Sequence, residues 1–222
     1  MPEAGVDLTL TGFRHSVYTR SVRIALAEKG VAYSYVECDP FDPTNALSLM
    51  QSHPFGRVPV LHHDGFRVYE VAAILGYVDA CFAGIGLTPG DAQAAARMRQ
   101  VIAIADNYVY WPLVRQAFSH GHYRPLVGEE GDPAALQKGL TEAPRVLDAL
   151  EEIAAEGLVL RGDAICLASC HLFPMLDYFA LLPEGREMLM QRDALAAWLH
   201  GMGRRPSALA TRPDLSDEET PE

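Results

Sequence analysis

The spacing of hydrophobic and polar positions changes several times along the first eighty residues. DLTLTGF (7–13) alternates apolar with polar, the two-residue period of a strand. Tyr18, Val22, Ala25, Leu26 and Lys29 then fall on one helical stripe, with Ser16 placed as N-cap and Gly30 as terminator. VAYSYVEC (31–38) alternates again, and the turn-rich DPFDPTNALSLMQSHP (39–54) leaves room for one short helix. RVPVLHH (57–63) and FRVYE (66–70), separated by Asp64-Gly65, carry a strong hairpin signal. EVAAILGYVDACF (70–82) returns to helical spacing. The order β-α-β-α-β-β-α predicts a parallel βαβ unit beside an antiparallel hairpin, a small mixed sheet covered by helices.

AGIGLTPGDA (83–92) breaks the pattern and reads as a linker. Its GxG follows no strand, which excludes a dinucleotide-binding loop there. Beyond it only helical periods occur. They predict one long helix over 92–119, a second opened by Asp132-Pro133 and running to about residue 156, and two more over 164–182 and 184–202, ending at the RRPS of 204–207. The expected organisation is an α/β domain over 1–82, an all-α domain over 92–212, and a disordered acidic tail over 213–222.

Charge changes this picture in one respect. The 222 residues hold 18 basic and 29 acidic side chains, a formal charge of −11, which argues against nucleic acid or an anionic membrane as partner. Five of the acids lie in the last ten residues, so nearly half of that charge belongs to the tail. MPEAGVDLTL lacks the basic-then-apolar pattern of a signal peptide, and no apolar run approaches the ~20 residues of a membrane span. Cys38, Cys81, Cys166 and Cys170 form no CxxC pair, against zinc ribbons and thioredoxin-type redox chemistry. A cytoplasmic setting follows. His62-His63 and His120-x-His122 lack further ligands nearby, so no metal is expected.

Three stretches are more specific. S-x-Y-T-R-x-V-R-I-A-L (16–26), H-P-F-G-R-V-P-V-L (53–61) and Y-E-V-A-A-I-L (69–75) occur in that order. The C-terminal half adds G-D-A-I-C-L-A-S (162–169) and W-x(6)-R-P-S from Trp198 to Ser207. In order and spacing these resemble the glutathione S-transferase family, in its serine-type, bacterial-like members, over residues 7 to about 212. The resemblance implies a thioredoxin-like N-terminal domain, an all-helical C-terminal domain and a homodimer. It also implies glutathione as co-substrate, without a metal, for conjugation to a small hydrophobic electrophile.

The resemblance carries over residue by residue. Val58 precedes Pro59 in a bond that is cis in the family, its backbone pairing with the cysteinyl part of glutathione. Glu70 aligns with the acid that meets the γ-glutamyl ammonium, while N–H groups at the following helix N-terminus suit the γ-glutamyl carboxylate. Arg57 aligns with a position facing the glycyl carboxylate. Ser16 aligns with the hydroxyl that donates to the glutathione sulfur; Tyr18 and Ser21 are its rivals. Tyr108, Trp111 and Arg115, at i, i+3 and i+7, are expected to line the electrophile pocket between the domains, with Phe118 continuing their face.

Two departures stand out. Val71 replaces the usual Ser or Thr, removing a hydrogen bond to the glutamyl carboxylate. Cys166 and Ser169 replace the family's Ser/Thr-x-x-Asp box, so Asp163 is expected to cap that helix earlier, and Pro174 to kink it. The alternatives are a ligand-binding or regulatory protein of the same fold without turnover, and a glutathione-dependent isomerase or dehalogenase.

Overall fold

The structure, a computed structural model, describes residues 7–162 and 164–215. Asp163 and the tail from residue 216 therefore lie outside the described residues. The chain divides into two compact units, 1–87 and 88–222.

In the first unit, β1 (Leu8–Gly12), α1 (Val17–Glu28) and β2 (Ser34–Glu37) form a parallel βαβ. A 3-10 turn (Pro43–Asn45) and α2 (Ala46–Ser52) lead to β3 (Val60–His63), β4 (Phe66–Tyr69) and α3 (Val71–Cys81). The sheet order is β2-β1-β3-β4, with β3 antiparallel to both of its neighbours. Asp64 and Gly65 both have positive φ, 47° and 81°, as a tight hairpin turn with the strands' own twist requires. Leu8, Leu10, Val60 and Leu61 of the sheet are buried, as are Val22, Ala25 and Leu26 of α1 and Ile74, Leu75 and Val78 of α3. Cys38, expected on the second strand, lies just past its end and donates its N–H to the Gly12 carbonyl at 2.7 Å.

Lys29, at the end of the α1 stripe, is buried as a polar peg. Its Nζ donates to Asp79 Oδ1 at 3.2 Å and to the carbonyls of Asp79 and Ile85, both at 3.1 Å. Asp79 Oδ1 also accepts from the Leu87 N–H at 2.8 Å. One ion pair thus ties α1 to α3 and to the chain leaving it.

Among its described residues, the regular elements of the second unit are all helices. α4 (Ala92–Ile104) continues into a π-wound segment (Ala105–Tyr123) and the short α5 (Arg124–Leu126). The helix expected over 92–119 is therefore longer and changes its winding, around Pro112, which has no N–H to give. α6 (Pro133–Ala155) starts where expected, with Asp132 accepting from the Ala134 N–H. Gly139 lets α6 touch the π segment backbone to backbone: a Cβ there would stand 2.4 Å from the Pro112 carbonyl oxygen. α7 (Leu167–Phe179) is almost wholly buried, and its His171 Nε2 meets Asp106 Oδ1 at 2.8 Å. Its N-cap is Cys166, whose N–H donates to Ser169 Oγ at 3.5 Å.

The single helix expected over 184–202 is two, α8 (Pro183–Met190) and α9 (Asp193–Gly203). Residues of α6 cause the break. The Glu151 carboxylate accepts from the N–H groups of Ala194 and Leu195 at 3.0 and 2.8 Å, capping a new N-terminus. Arg192, extended between the helices, bonds Asp148 Oδ1 through Nη2 at 2.6 Å and the Pro144 carbonyl at 3.2 Å. A last short helix, α10 (Pro206–Ala210), begins within the RRPS read as the end of the helices.

Removing one partner of a buried ion pair costs about 3–5 kcal/mol. Lys29→Met is accordingly expected to lower the unfolding free energy by about 3 kcal/mol, measured by urea titration against wild type.

Candidate functional site

Three chain reversals meet at one end of the sheet. Thr11, Val60 and Tyr69 lie side by side across β1, β3 and β4. The chain leaves Thr11 through Gly12 toward Ser16, enters Val60 from Val58-Pro59, and leaves Tyr69 into Glu70 and Val71. Register alone thus brings together the N-terminus of α1, the segment before β3 and the N-terminus of α3. The Val58–Pro59 bond is cis.

Gly12 and Thr19 fix the approach to Ser16. A Cβ at Gly12 would stand 2.3 Å from Thr19 Cγ2, so only glycine lets α1 fold back this closely. Thr19 Oγ1 accepts from the Phe13 N–H at 3.2 Å, and Ser16 Oγ accepts from the Thr19 N–H at 3.2 Å. Ser16 is therefore an N-cap, as expected. Capping uses a lone pair of the hydroxyl, and its O–H remains a donor. Of the rivals, Ser21 is fully buried and donates to the Val17 carbonyl at 3.0 Å, while Tyr18 is half-buried on α1.

Glu70 caps α3 with φ 68° and ψ 119°, a backbone conformation rare for a residue with a Cβ. Its carboxylate is 64% exposed and lies 3.8 Å from His53 Nε2. His53 itself is buried, tilted against the Tyr69 ring, and its Nδ1 accepts from the Phe55 N–H at 3.2 Å. That bond assigns the ring proton to Nε2, facing Glu70. Burial, then the charges of Arg57 and Arg67, hold the His53 imidazole below its ordinary pKa, against the opposing pull of Glu70. Arg57 is exposed, and Arg67 Nη1 donates to the Gln51 carbonyl at 2.6 Å. Two guanidinium groups and one exposed carboxylate thus act on the same buried imidazole. Val71 is buried, 8% exposed; at the position read as a departure from the usual Ser or Thr, the side chain joins the core.

In the helical unit, Tyr108 and Trp111 are 63% and 57% exposed and line a groove of about 820 Å³ between the π segment and α6. Thr141, Glu142 and Arg145 form its other wall. Arg115 is not among its lining residues, and Phe118 is buried against Tyr178. The shared face expected for 108, 111 and 115 assumes α winding; i→i+5 bonding puts more residues in each turn and rotates Arg115 away.

Among the described residues, no group of three or more His, Cys, Asp or Glu is placed to hold a metal ion, and no helix is long and apolar enough to cross a membrane. Three of these histidines have other partners: His63 meets Tyr77, His120 accepts from the Asp132 N–H, and His122 meets the Leu215 carbonyl.

The family model "Glutathione S-transferase, N-terminal domain" matches residues 10–85. Glutathione S-transferase F6 of Arabidopsis thaliana is 27% identical over 201 residues, 89% of this chain and 95% of that protein. Over most of its length the chain is similar to glutathione S-transferases, and residues 10–85 match their N-terminal domain. Its structure is similar to glutathione S-transferase III in apo form, with a TM-score of 0.80 and 27% identity over 97% of this chain and 100% of that one. A glutathione S-transferase of Methylobacillus flagellatus with glutathione bound gives 0.73 and 27% over 93% and 100%. Curated relatives such as the Arabidopsis protein are from plants, which does not bear out the serine-type, bacterial-like label. The thioredoxin-like sheet followed by an all-helical unit is the fold of this family.

His53 and Arg67 were not singled out as site residues from the sequence. His53 stands inside the H-P-F-G-R-V-P motif, but only the strand register turns its ring toward an acid seventeen positions later. Because folding lowers the His53 pKa below the unfolded chain's value near 6.5, the unfolded state gains protons first as pH falls. The unfolding free energy of wild type is expected to drop between pH 7.5 and 5.5, and His53→Asn to flatten that drop, by urea titration at both pH values.

Proposed function

We propose that the protein is a glutathione transferase in which Ser16, Val58, Glu70 and the α3 N-terminus hold glutathione and set up its thiol for attack on a small hydrophobic electrophile. The convergence of Ser16, cis-Pro59 and Glu70 on the Thr11–Val60–Tyr69 row carries this reading. Arg57 and Arg67 give an acidic protein a locally basic rim suited to a tripeptide with two carboxylates.

Ser16 has the decisive role. A free thiol with a pKa near 8.5 is only a few per cent thiolate at pH 7. Lowering that pKa by two units takes about 2.7 kcal/mol of preferential stabilisation. The Ser16 O–H, donating toward the sulfur at the positive end of α1, supplies the stabilisation without itself becoming a nucleophile. Glu70 binds the γ-glutamyl ammonium, and the first N–H groups of α3, beginning with Val71, bind the neighbouring carboxylate. The lost hydroxyl at Val71 removes a charge-assisted hydrogen bond of roughly 1.5–3 kcal/mol, so the affinity for glutathione is modest. Tyr108 and Trp111 hold the electrophile. We further propose a cytoplasmic homodimer acting in detoxification.

The burial of Val71 favours one competing reading, a ligand-binding protein of the same fold without turnover. Isothermal titration and turnover of an aryl halide separate the two. Glutathione is expected to bind at millimolar concentration, and Ser16→Ala to cut turnover at least tenfold while leaving affinity nearly unchanged. Binding without turnover in wild type supports the competing reading; no binding at millimolar glutathione sinks the transferase assignment.

A further inference from the structure

A second cluster of reactive side chains lies at the other end of β3. His63 is three residues beyond Val60, about 10 Å along the strand. Its Nδ1 lies 2.7 Å from Tyr77 Oη and 3.8 Å from Cys81 Sγ, and its Nε2 lies 3.6 Å from Asp64 Oδ2. Tyr77 and Cys81 are one turn apart on α3, so their side chains rise on the same face. The Tyr77 phenol is pushed above its ordinary pKa, chiefly by its hydrogen bond to Cys81. Cys81 is exposed, whereas Cys38, Cys166 and Cys170 are buried.

The other neighbours of His63 are mostly apolar. Its ring lies against Phe82, and across the sheet it pairs with Leu8 of β1 and Phe66 of β4. Arg67 of β4 pairs with His62 instead. Asp64 places a formal charge 3.6 Å from the imidazole Nε2, and Asp7, whose carbonyl accepts from the Asp64 N–H, precedes the paired Leu8. A carboxylate at Nε2 orients that nitrogen as the ring's donor and leaves Nδ1 as its acceptor, and the line Sγ, Oη, Nδ1 offers the thiol proton a path. The same carboxylate disfavours anionic reagents.

We propose that Cys81 is a covalent modification site for neutral α,β-unsaturated carbonyl compounds, with Tyr77 and His63 removing its proton. As the sulfur bonds to the β-carbon, the thiol proton passes to Tyr77 Oη and the phenolic proton to His63 Nδ1. The C=C π pair becomes an enolate, and His63 returns the proton through Tyr77, so that the α-carbon ends protonated. The product is a thioether; nothing is oxidised, and no leaving group departs. The site uses none of the residues assigned to glutathione.

N-ethylmaleimide, a neutral reagent of this class, tests the proposal on the full-length protein, with peptide mass mapping of each cysteine over time. Cys81 is expected to react first, with a rate that rises less than fivefold from pH 7 to pH 9. An unassisted thiol with a pKa near 8.5 rises about 25-fold over that range. His63→Gln is expected to slow Cys81 at least tenfold at pH 7 and to restore the steep rise. Tyr77→Phe, which keeps the ring, is expected to slow it at least threefold, and circular dichroism verifies that both variants fold. A 25-fold rise in wild type, or wild-type rates in both folded variants, overturns the proposal.

Discussion

Antiparallel pairing places Thr11, Val60 and Tyr69 in one row, and a one-residue slip of β3 would turn every side chain on it to the opposite face. Val60 and Leu61, both buried, make such a slip costly because they pack on opposite sides of the strand. The apolar core therefore fixes the register, and the register fixes where the chain reverses before α1, β3 and α3. Ser16, Val58 and Glu70 lie within five residues of the row, so their placement follows from the packing of residues that never touch a ligand. Local details then refine it: a glycine with no room for a Cβ at Gly12, a cis bond before Pro59, and positive φ at Glu70.

Much of this was legible in the sequence because its causes are local. Alternation marked β1, the Asp64-Gly65 pair marked a hairpin whose two φ values are positive, and Ser16 and Asp132 cap the helices they were read to cap. What escaped has causes distant in the chain. The break at Gln191–Arg192 contains no proline or glycine; it exists because Asp148 and Glu151, more than forty residues earlier, bind an arginine and two backbone amides. The π winding around Pro112 moved Arg115 off the face predicted for it. His53 shows the same limit at the site, since its partner is set by a strand pairing that no local pattern encodes.

Both units join their elements through buried or half-buried polar groups as well as through apolar area. In the first, a single ammonium holds two helices and a loop; in the second, carboxylates of α6 receive α9 and the segment before it. Such contacts are directional. They specify one approach angle where a purely apolar face would accept several, and they localise the damage when one partner is removed.

The sheet has two edges, β2 and β4, and each is only four residues long. Glu37 closes one, and Arg67 stands in the other. Short, charge-bearing edges are poor templates for a further strand, even though Tyr35, Val36 and Phe66 are exposed on them. At high concentration, then, self-association through open strand edges is disfavoured, and a chain rich in exposed aromatic residues is protected from growing its sheet across molecules.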